Sequence, residues 1–253
     1  MSESPDDIYA DFAERYDRVS GPIGEPDPVR LAFFRQLFAQ HQVQSVLDCA
    51  CGTGRDLILF QALGCQVWGM DLSPSMLAQA RKNLAGLGLK IPLTLADYRE
   101  LPEYFPQPFD AVTCLSSSIL HMPDDEEVVR AFASIRTVLK ENGILVLSQG
   151  TSDKQWRAKP RFIPAVNLPE FSRLFAIDYH GRGARYHILD LWHSPERSDF
   201  AVWSVDYPHM LLQDDYLRLL TESGFHQITV YGSYRFDPYD KETSDWLLAI
   251  AQR

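Results

Sequence analysis

The sequence predicts an α/β protein whose central sheet is doubly wound and mostly parallel. Short apolar runs alternate with helical patterns over residues 44–151, which is typical of strands separated by crossover helices. The same alternation returns over residues 209–253. The stretch between them, residues 152–208, has a different pattern. It is therefore predicted to be an insertion into a core that the two flanking parts build together.

The first 43 residues are predicted to form two helices ahead of this core. Residues 6–18 carry aromatic side chains at helical spacing, and residues 29–41 repeat an apolar period through Leu31, Phe34 and Leu37. A segment rich in glycine and proline separates the two helices and predicts a turn.

Five apolar runs precede the insertion and two follow it, so the core sheet is predicted to have seven strands. Because no clear helix separates the last two strands, the last strand is expected to be antiparallel. The predicted strands are 45–50, 66–70, 91–96, 109–115, 144–148, 225–231 and 246–251. The predicted core helices are 55–63, 73–83, 123–140 and 213–223.

The insertion, residues 152–208, contains three stretches of alternating apolar and polar residues at 171–179, 184–192 and 200–207. Turn signals lie between them, so a small antiparallel meander is predicted. Ligands of open α/β sheets bind at the carboxyl ends of the strands, and the insertion follows such an end. Two roles stay open for it: a substrate-side lid, or a contact between two copies in a homodimer.

Composition limits the classes of partner. The formal charge of −10 gives an acidic surface that repels phosphate groups and anionic lipids, so neither nucleic acid nor a membrane is expected as a partner. The chain shows no secretory signal and no run of about 18 apolar residues, which predicts a cytoplasmic protein. The 4 cysteines and 7 histidines lack metal-ligand spacing, so no metal site is expected and the cysteines are predicted to be buried thiols.

A glycine-containing loop after the first predicted strand carries the strongest chemical signal. It runs from Asp48 to Gly54, where glycines let the backbone approach a ligand and the next helix offers free N–H groups. A dinucleotide loop would have a third glycine where Leu57 stands, which disfavours the alternative of a nicotinamide-dependent oxidoreductase. Asp71 and Asp97 end the next two strands. Together with Asp48 they are expected to form a negative rim that suits a cation such as a sulfonium.

Three segments of this region resemble a known enzyme family. Residues 46–54, Val-Leu-Asp-Cys-Ala-Cys-Gly-Thr-Gly, are similar to motif I of the class I S-adenosylmethionine-dependent methyltransferases. Residues 71–76 and 96–98 are similar to the segments that follow the second and third strands of that family, and the resemblance covers residues 44–150. It implies a Rossmann-like fold, S-adenosylmethionine as the cofactor, and methyl transfer to a small-molecule acceptor. A non-catalytic cofactor-binding paralogue is the alternative with the same fold.

The resemblance also implies roles for individual residues. Asp71 would hold the ribose hydroxyls, Asp97 the adenine amine, and the glycine loop the methionine part. Residues 9–17 look like the lid helix of small-molecule members, in which Tyr16 would close over the cofactor; an aromatic stripe that packs on the domain is the alternative. The implied cofactor-binding residues are Tyr16, Asp48, Ala50, Gly52, Gly54, Asp71, Leu72, Met76, Asp97, Tyr98 and Leu115.

Residues 110–122 are similar to the stretch of the glycine N-methyltransferases that lies under the transferable methyl group. The insertion is similar to that of the same enzymes and of the sugar-amine N-methyltransferases. Ser117 stands where the glycine enzymes have a substrate-binding asparagine, and their arginine after the fifth strand is absent from residues 148–152. These departures argue against glycine as the acceptor. Nitrogen is favoured over oxygen because a neutral amine needs no base.

Four further residues are candidates for catalysis or acceptor binding. His121 and Tyr16 are the catalytic candidates; His121 could orient or deprotonate the nucleophile, or it could cap the helix that begins near residue 124. Trp156 and Arg157 belong to a basic, aromatic cluster in the insertion. They are expected to bind an anionic or planar part of the acceptor, or else to form a surface or subunit contact.

Overall fold

The computed structural model describes residues 7–253, which form eleven strands and eight α-helices. The strands are β1 (Ser45–Asp48), β2 (Gln66–Asp71), β3 (Leu93–Leu95), β4 (Phe109–Cys114), β5 (Leu139–Gln149), β6 (Phe162–Asn167), β7 (Phe171–His180), β8 (Gly183–Ser194), β9 (Arg197–Tyr207), β10 (His226–Tyr231) and β11 (Leu247–Gln252). The helices are α1 (Ala13–Tyr16), α2 (Pro28–Gln40), α3 (Arg55–Ala62), α4 (Pro74–Gly86), α5 (Leu101–Tyr104), α6 (Asp125–Thr137), α7 (Asp153–Ala158) and α8 (Gln213–Glu222).

Seven strands form the core sheet in the order β10-β11-β5-β4-β1-β2-β3. Strands β1 to β5 pair in parallel, and β11 pairs antiparallel with both β5 and β10. This confirms the predicted α/β fold: a doubly wound, mostly parallel sheet of seven strands with an antiparallel last strand. The carboxyl ends of β1, β2 and β4 meet at one edge of the sheet, where a ligand site is expected.

Apolar side chains pack on both faces of this sheet, as a doubly wound fold requires. One face packs against Phe132 of α6 and Leu219 of α8, and the other against Phe34, Phe60 and Leu77 of α2, α3 and α4. Exclusion of this apolar surface from water is the main source of the stability of such a core.

A separate antiparallel sheet with the order β6-β7-β8-β9 lies within the insertion; we call it the insert sheet. The meander of three strands was predicted, but the sequence did not indicate β6 or the short helix α7. Strand β6 is an edge strand, it contains Pro164, and most of its side chains are exposed. It therefore lacks the apolar alternation that identifies a half-buried strand.

The N-terminal helix is much shorter than the predicted 6–18, whose first residue lies outside the described part of the chain. Turns lead into α1, and a 3-10 turn follows at Asp17–Val19. The residue before α1, Phe12, has no side-chain cap, and its ring stacks on Trp203 of the insert sheet at 4.3 Å. Tertiary packing rather than helix propensity therefore sets the path of this segment.

Helix α2 matches its prediction closely. Its first turn is capped by the carboxylate of Asp27, which accepts hydrogen bonds from the N–H groups of Val29 and Arg30 at 2.7 and 3.0 Å, with proline at the first helical position.

Among residues 7–253, no helix is both long and apolar enough to cross a membrane, and no group of three or more metal-ligating side chains is assembled. All four cysteines carry free thiols; Cys49, Cys51 and Cys114 are buried, and Cys65 is partly buried.

Candidate functional site

A cavity of about 1310 Å³ lies at the carboxyl ends of the core strands. The loops that follow β1, β2, β4 and β5 form its floor, the N-terminal segment covers one side, and the insert sheet forms the opposite wall. This volume exceeds the roughly 300–1,000 Å³ that is typical of a site for one small ligand. The cavity therefore has room for two ligands side by side.

The glycine loop after β1 is held against the end of β2. The N–H of Gly52 donates a hydrogen bond to the Asp71 carboxylate at 2.7 Å. Gly52 has a φ of +52°, and a Cβ at this position would project into open space where no atom lies within 4 Å. The loop therefore leaves room at its surface for a ligand to approach the backbone.

Asp71 presents an acidic group to this half of the cavity. Its oxygens accept from the N–H groups of Gly52 and Ser73, at 2.7 and 2.9 Å, and no cationic side chain in the described chain lies within 4.0 Å. Burial raises the pKa of Asp71 above its usual value. An unpaired, partly buried carboxylate of this kind is suited to accept hydrogen bonds from ligand hydroxyl groups.

Arg30 of α2 brings a buried donor to the same half of the cavity, a role that the sequence did not indicate. Its Nη2 pairs with the Asp56 carboxylate at 2.7 Å, its buried Nε has no hydrogen-bond partner, and its guanidinium lies over the Tyr234 ring at 5.0 Å. Burial opposes the charge, but the proximity of Asp56 outweighs it and raises the pKa of Arg30. Buried donors without partners are costly, so they favour an anionic ligand group.

These groups fit the cofactor that the resemblance implies. A molecule with a carboxylate, two ribose hydroxyls and a cationic sulfur matches the unpaired Nε of Arg30, the free acceptor capacity of Asp71 and the open surface of Gly52. The nicotinamide alternative would bring a pyrophosphate beside buried carboxylates, which is unfavourable.

Most of the predicted site residues are brought together in this cavity. Those that line it are Tyr16, Ala50, Gly52, Asp71, Leu72, Met76, Asp97, Tyr98, Leu115, Ser117 and His121.

Four predicted residues do not line the cavity. Asp48 is only 1% exposed and lies behind the glycine loop, where it accepts from the Ala50 N–H at 3.4 Å and burial raises its pKa. Gly54 directly precedes α3, and a Cβ there would lie 3.4 Å from the Cβ of Ala80. Both residues therefore support the glycine loop from the side that faces away from the cavity.

Trp156 and Arg157 do not line the cavity, so of the two expected roles their positions fit a surface contact rather than acceptor binding. Helix α7 turns Lys154, Gln155 and Ala158 towards the cavity, and helical periodicity places the two predicted residues on its other face. Trp156 packs edge-to-face on Tyr179, at 5.6 Å between ring centroids, and Arg157 forms a surface ion pair with Glu242.

The predicted rim of three aspartates is also wrong. Asp48 is buried behind the loop, and the carboxylate of Asp97 is bound by the Arg99 guanidinium at 2.6 Å. Burial raises the pKa of Asp97, but its hydrogen bonds with Arg99 outweigh burial and lower the pKa overall. Of the three, Asp71 alone presents a carboxylate to the cavity without a cationic partner in the described chain.

A polar cluster forms the other half of the cavity floor, between the core and the insert sheet. The Tyr9 hydroxyl lies 2.9 Å from Nε2 of His121, and the Tyr207 ring lies 5.1 Å from the His121 ring. Ser116 and Ser117 follow β4 with φ values of +56° and +70°, and Ser148 holds their N–H groups through its hydroxyl and carbonyl oxygens. Tyr9 and Tyr207 were missed because they lie far from His121 in the sequence.

His121 does not cap α6, which was the alternative role. The cap is Asp124, whose carboxylate accepts from the Glu127 N–H at 3.0 Å, while His121 ends a separate 3-10 turn at Ser118–His121. Burial lowers the pKa of His121 to about 4, so its imidazole is neutral at neutral pH.

The buried state of His121 predicts a pH-dependent stability. Below its ordinary pKa of 6.5 the unfolded chain binds a proton at this ring, whereas the folded chain does not until the pH reaches about 4. The stability is therefore complete above this window and falls as the pH is lowered through it. Between pH 6.5 and about pH 5, we expect the unfolding free energy of the wild type to fall by about 2 kcal/mol more than that of His121→Gln.

Urea unfolding of the wild type and His121→Gln at both pH values measures this difference. His193→Gln, on the exposed side of the insert sheet, is the matched control and should follow the wild type. Equal pH dependence of the His121 variant and the wild type would contradict the buried, neutral imidazole.

The N-terminal segment covers the cavity and is held at its far end by Asp17, which accepts from the Thr53 hydroxyl at 2.7 Å, and at its start by two neighbouring residues. Asp7 accepts hydrogen bonds from the Ser73 hydroxyl at 2.6 Å and the Ser75 N–H at 2.9 Å, and Trp203 donates its indole N–H to the Ile8 carbonyl at 2.7 Å. Tyr16 lines the cavity and also packs on Phe12, so its ring faces a ligand position and belongs to the aromatic packing of the segment. Burial raises the pKa of Tyr16 to about 12.

Comparisons with known proteins agree with this geometry. A family model described as a methyltransferase domain matches residues 46–143. A glycine/sarcosine N-methyltransferase of Parasynechococcus marenigrum is 31% identical, with 96% of this chain and 83% of that protein covered. A second glycine/sarcosine N-methyltransferase, from Aphanothece halophytica, is 30% identical, with 87% of this chain and 80% of that protein covered.

Solved structures show the same fold. An S-adenosylmethionine-dependent methyltransferase from Clostridium acetobutylicum has a TM-score of 0.78 at 18% identity, with 96% of this chain and 98% of that chain covered. An amino pentose methyltransferase from Micromonospora echinaspora, with S-adenosylmethionine bound, has a TM-score of 0.74 at 22% identity, with 95% of each chain covered.

Proposed function

This chain belongs to the class I S-adenosylmethionine-dependent methyltransferases, near the branch of the glycine/sarcosine N-methyltransferases, and on that premise we propose that it methylates an amine nitrogen of a small molecule. The observation that carries the proposal is a single cavity that joins the glycine loop and Asp71 to a second compartment around Ser117 and His121. The family membership makes the protein a methyltransferase rather than the oxidoreductase that was the alternative.

The loop half of the cavity is the proposed cofactor site. When bound, S-adenosylmethionine supplies a methyl group on a positively charged sulfur, which a nucleophile can displace. Arg30 would hold its carboxylate through the buried Nε, which has no partner, and Asp71 would accept from the ribose hydroxyls. Leu72 and Met76 offer apolar contacts for the base beside Asp71.

The second half of the cavity is the proposed acceptor site. As far as the chain is described, its polar cluster contains no ionised base at neutral pH, because burial keeps His121 neutral and raises the pKa values of Tyr9 and Tyr207. A neutral amine can attack without losing a proton first, whereas a hydroxyl benefits from a base of higher pKa than His121 has. The role of the protein is therefore to position the amine and to exclude water.

The three-part division of the chain fits this proposal. We assign residues 44–151 and 209–253 to cofactor binding, residues 1–43 to the lid, as far as they are described, and the insertion 152–208 to the acceptor side. The insert sheet supports the last assignment because its inner face forms the cavity wall opposite the glycine loop.

Incubation with methyl-labelled S-adenosylmethionine and matched panels of amines and phenols tests the proposal. The label is expected on nitrogen, as located by mass fragmentation of the products, and only in samples that contain an amine. Label on oxygen alone would contradict N-methylation. Binding of S-adenosylhomocysteine with no labelled product from any acceptor, including a metabolite extract, would favour the non-catalytic paralogue.

A further inference from the structure

The inner face of the insert sheet carries an apolar row that crosses all four strands. Ile163 pairs with Phe175, Phe175 with Ile188, and Ile188 with Trp203, so each strand contributes one side chain to the same row. All four side chains line the cavity, and Val205 extends the row along β9. We call these five residues the apolar ladder. Such a surface gains free energy by burying apolar atoms of a ligand.

Among the described residues, two cationic side chains line this side of the cavity, and each is paired with a carboxylate of the protein. The Arg173 guanidinium donates to both oxygens of Asp190, at 2.6 and 2.9 Å, and to the carbonyls of Arg15 and Tyr16. The Lys154 ammonium is bound by the Asp245 carboxylate at 2.7 Å and contacts the Thr243 carbonyl. Both cations are therefore charge-compensated by the protein itself.

The loop half of the cavity differs in one donor. There, Arg30 also pairs with a carboxylate, that of Asp56, but its buried Nε has no partner and can donate to a ligand carboxylate. An acceptor carboxylate on the ladder side would have to be buried against apolar side chains without a free cation, which is strongly unfavourable.

We propose that the methyl acceptor is an amine with an apolar body and no carboxylate, and that this body lies on the apolar ladder. The inference rests on the proposed N-methylation, because the ladder leads to the polar cluster of Ser117, His121 and Tyr9, where the amine would be positioned. The proposed acceptor differs from glycine and sarcosine, the compounds named for the similar enzymes, because both of these are small and carry a carboxylate.

Two matched pairs of probes test the acceptor class without turnover. The full chain is saturated with S-adenosylhomocysteine, and phenethylamine or tryptamine is titrated beside phenylalanine or tryptophan, which add only a carboxylate. Glycine and sarcosine are titrated as well. At least one of the two amines is expected to bind, and to bind about tenfold or more tightly than its amino acid. Tighter binding of the amino acid, or no binding of either amine in the millimolar range, would overturn the proposal.

A pair of variants on neighbouring residues of β8 tests the location. Ile188 faces the cavity and Leu189 lies on the opposite face of the insert sheet. Ile188→Ala is expected to weaken amine binding by about fivefold to tenfold, whereas Leu189→Ala is expected to leave it unchanged. Equal effects of the two variants, with equal retention of S-adenosylhomocysteine binding, would remove the ladder from the acceptor site.

Failure of this proposal can be told apart from failure of N-methylation. Methylation of glycine or sarcosine in preference to the apolar amines would overturn the acceptor class while leaving N-methylation intact. Label found only on oxygen in the earlier experiment would overturn N-methylation, whatever the preference between the probes.

Discussion

Asp71→Ala is expected to cause the largest loss of cofactor binding of any single substitution in the site. The variant removes an acceptor for the ribose hydroxyls and also releases the N–H groups of Gly52 and Ser73, which the carboxylate holds at 2.7 and 2.9 Å. Loss of charge-assisted hydrogen bonds of this kind costs on the order of 2–4 kcal/mol, or about 30- to 800-fold in Kd. Isothermal titration with S-adenosylhomocysteine measures the change directly.

Asp199→Ala is the matched control for this experiment. Asp199 is an exposed carboxylate of the insert sheet that pairs with Arg197, far from the glycine loop in the chain. We expect it to bind S-adenosylhomocysteine as the wild type does. A folded Asp71→Ala variant with unchanged affinity would show that the cofactor is held elsewhere.

Arg173→Met is expected to cause the largest loss of stability. Arg173 and Asp190 are 3% and 0% exposed, and they form a buried ion pair on the insert sheet to which Arg15 of α1 also contributes at 2.6 Å. Removal of one partner leaves a buried charge that is only partly compensated, which costs about 3 kcal/mol of unfolding free energy. It also removes the hydrogen bonds that hold the carbonyls of Arg15 and Tyr16, so hydrogen exchange in this segment should increase.

Two further variants make the prediction about Arg173 specific. Arg157→Met breaks an ion pair with Glu242 whose partners are 55% and 70% exposed, so we expect a change of less than about 1 kcal/mol. The double change Arg173→Met with Asp190→Leu removes both buried charges and should recover part of the loss. Urea unfolding measures all three. If Arg173→Met and Arg157→Met were equally stable, the buried pair would not be the element that joins the lid to the insert sheet.

The core fold and the cofactor loop could be predicted because their signals are local. Apolar periods mark the strands and helices of the core, and the segment from Asp48 to Gly54 carries its glycines within seven residues. Strand β6 could not be predicted because an exposed edge strand lacks the alternation of apolar and polar residues. The path of α1 could not be predicted because it depends on the contact between Phe12 and Trp203.

The site residues that were missed or misplaced depend on the relative placement of elements. The residue pattern of a helix does not distinguish Arg30 from an arginine on the surface. The donors of Arg30 are buried only because α2 packs against the rest of the protein. Composition left Trp156 and Arg157 open to acceptor binding or to a surface contact, and the rotation of α7 places them outside the cavity lining. The rotation of a helix about its own axis is set by the surface against which it packs, so it cannot be predicted from a local residue pattern.

By itself, the sequence determined the α/β core, the antiparallel last strand, the insertion and the glycine loop with Asp71. The strands and helices follow from residue periods within each element, the insertion and the last strand from the order of those elements, and the roles of the loop and Asp71 from the family resemblance. Only the tertiary structure decided which groups meet across the cavity: Tyr9 with His121, 112 positions apart, and Arg15 with Asp190, 175 positions apart. Such contacts form when the burial of apolar surface brings distant segments together, and the spacing of residues along the chain does not specify which pairs will touch.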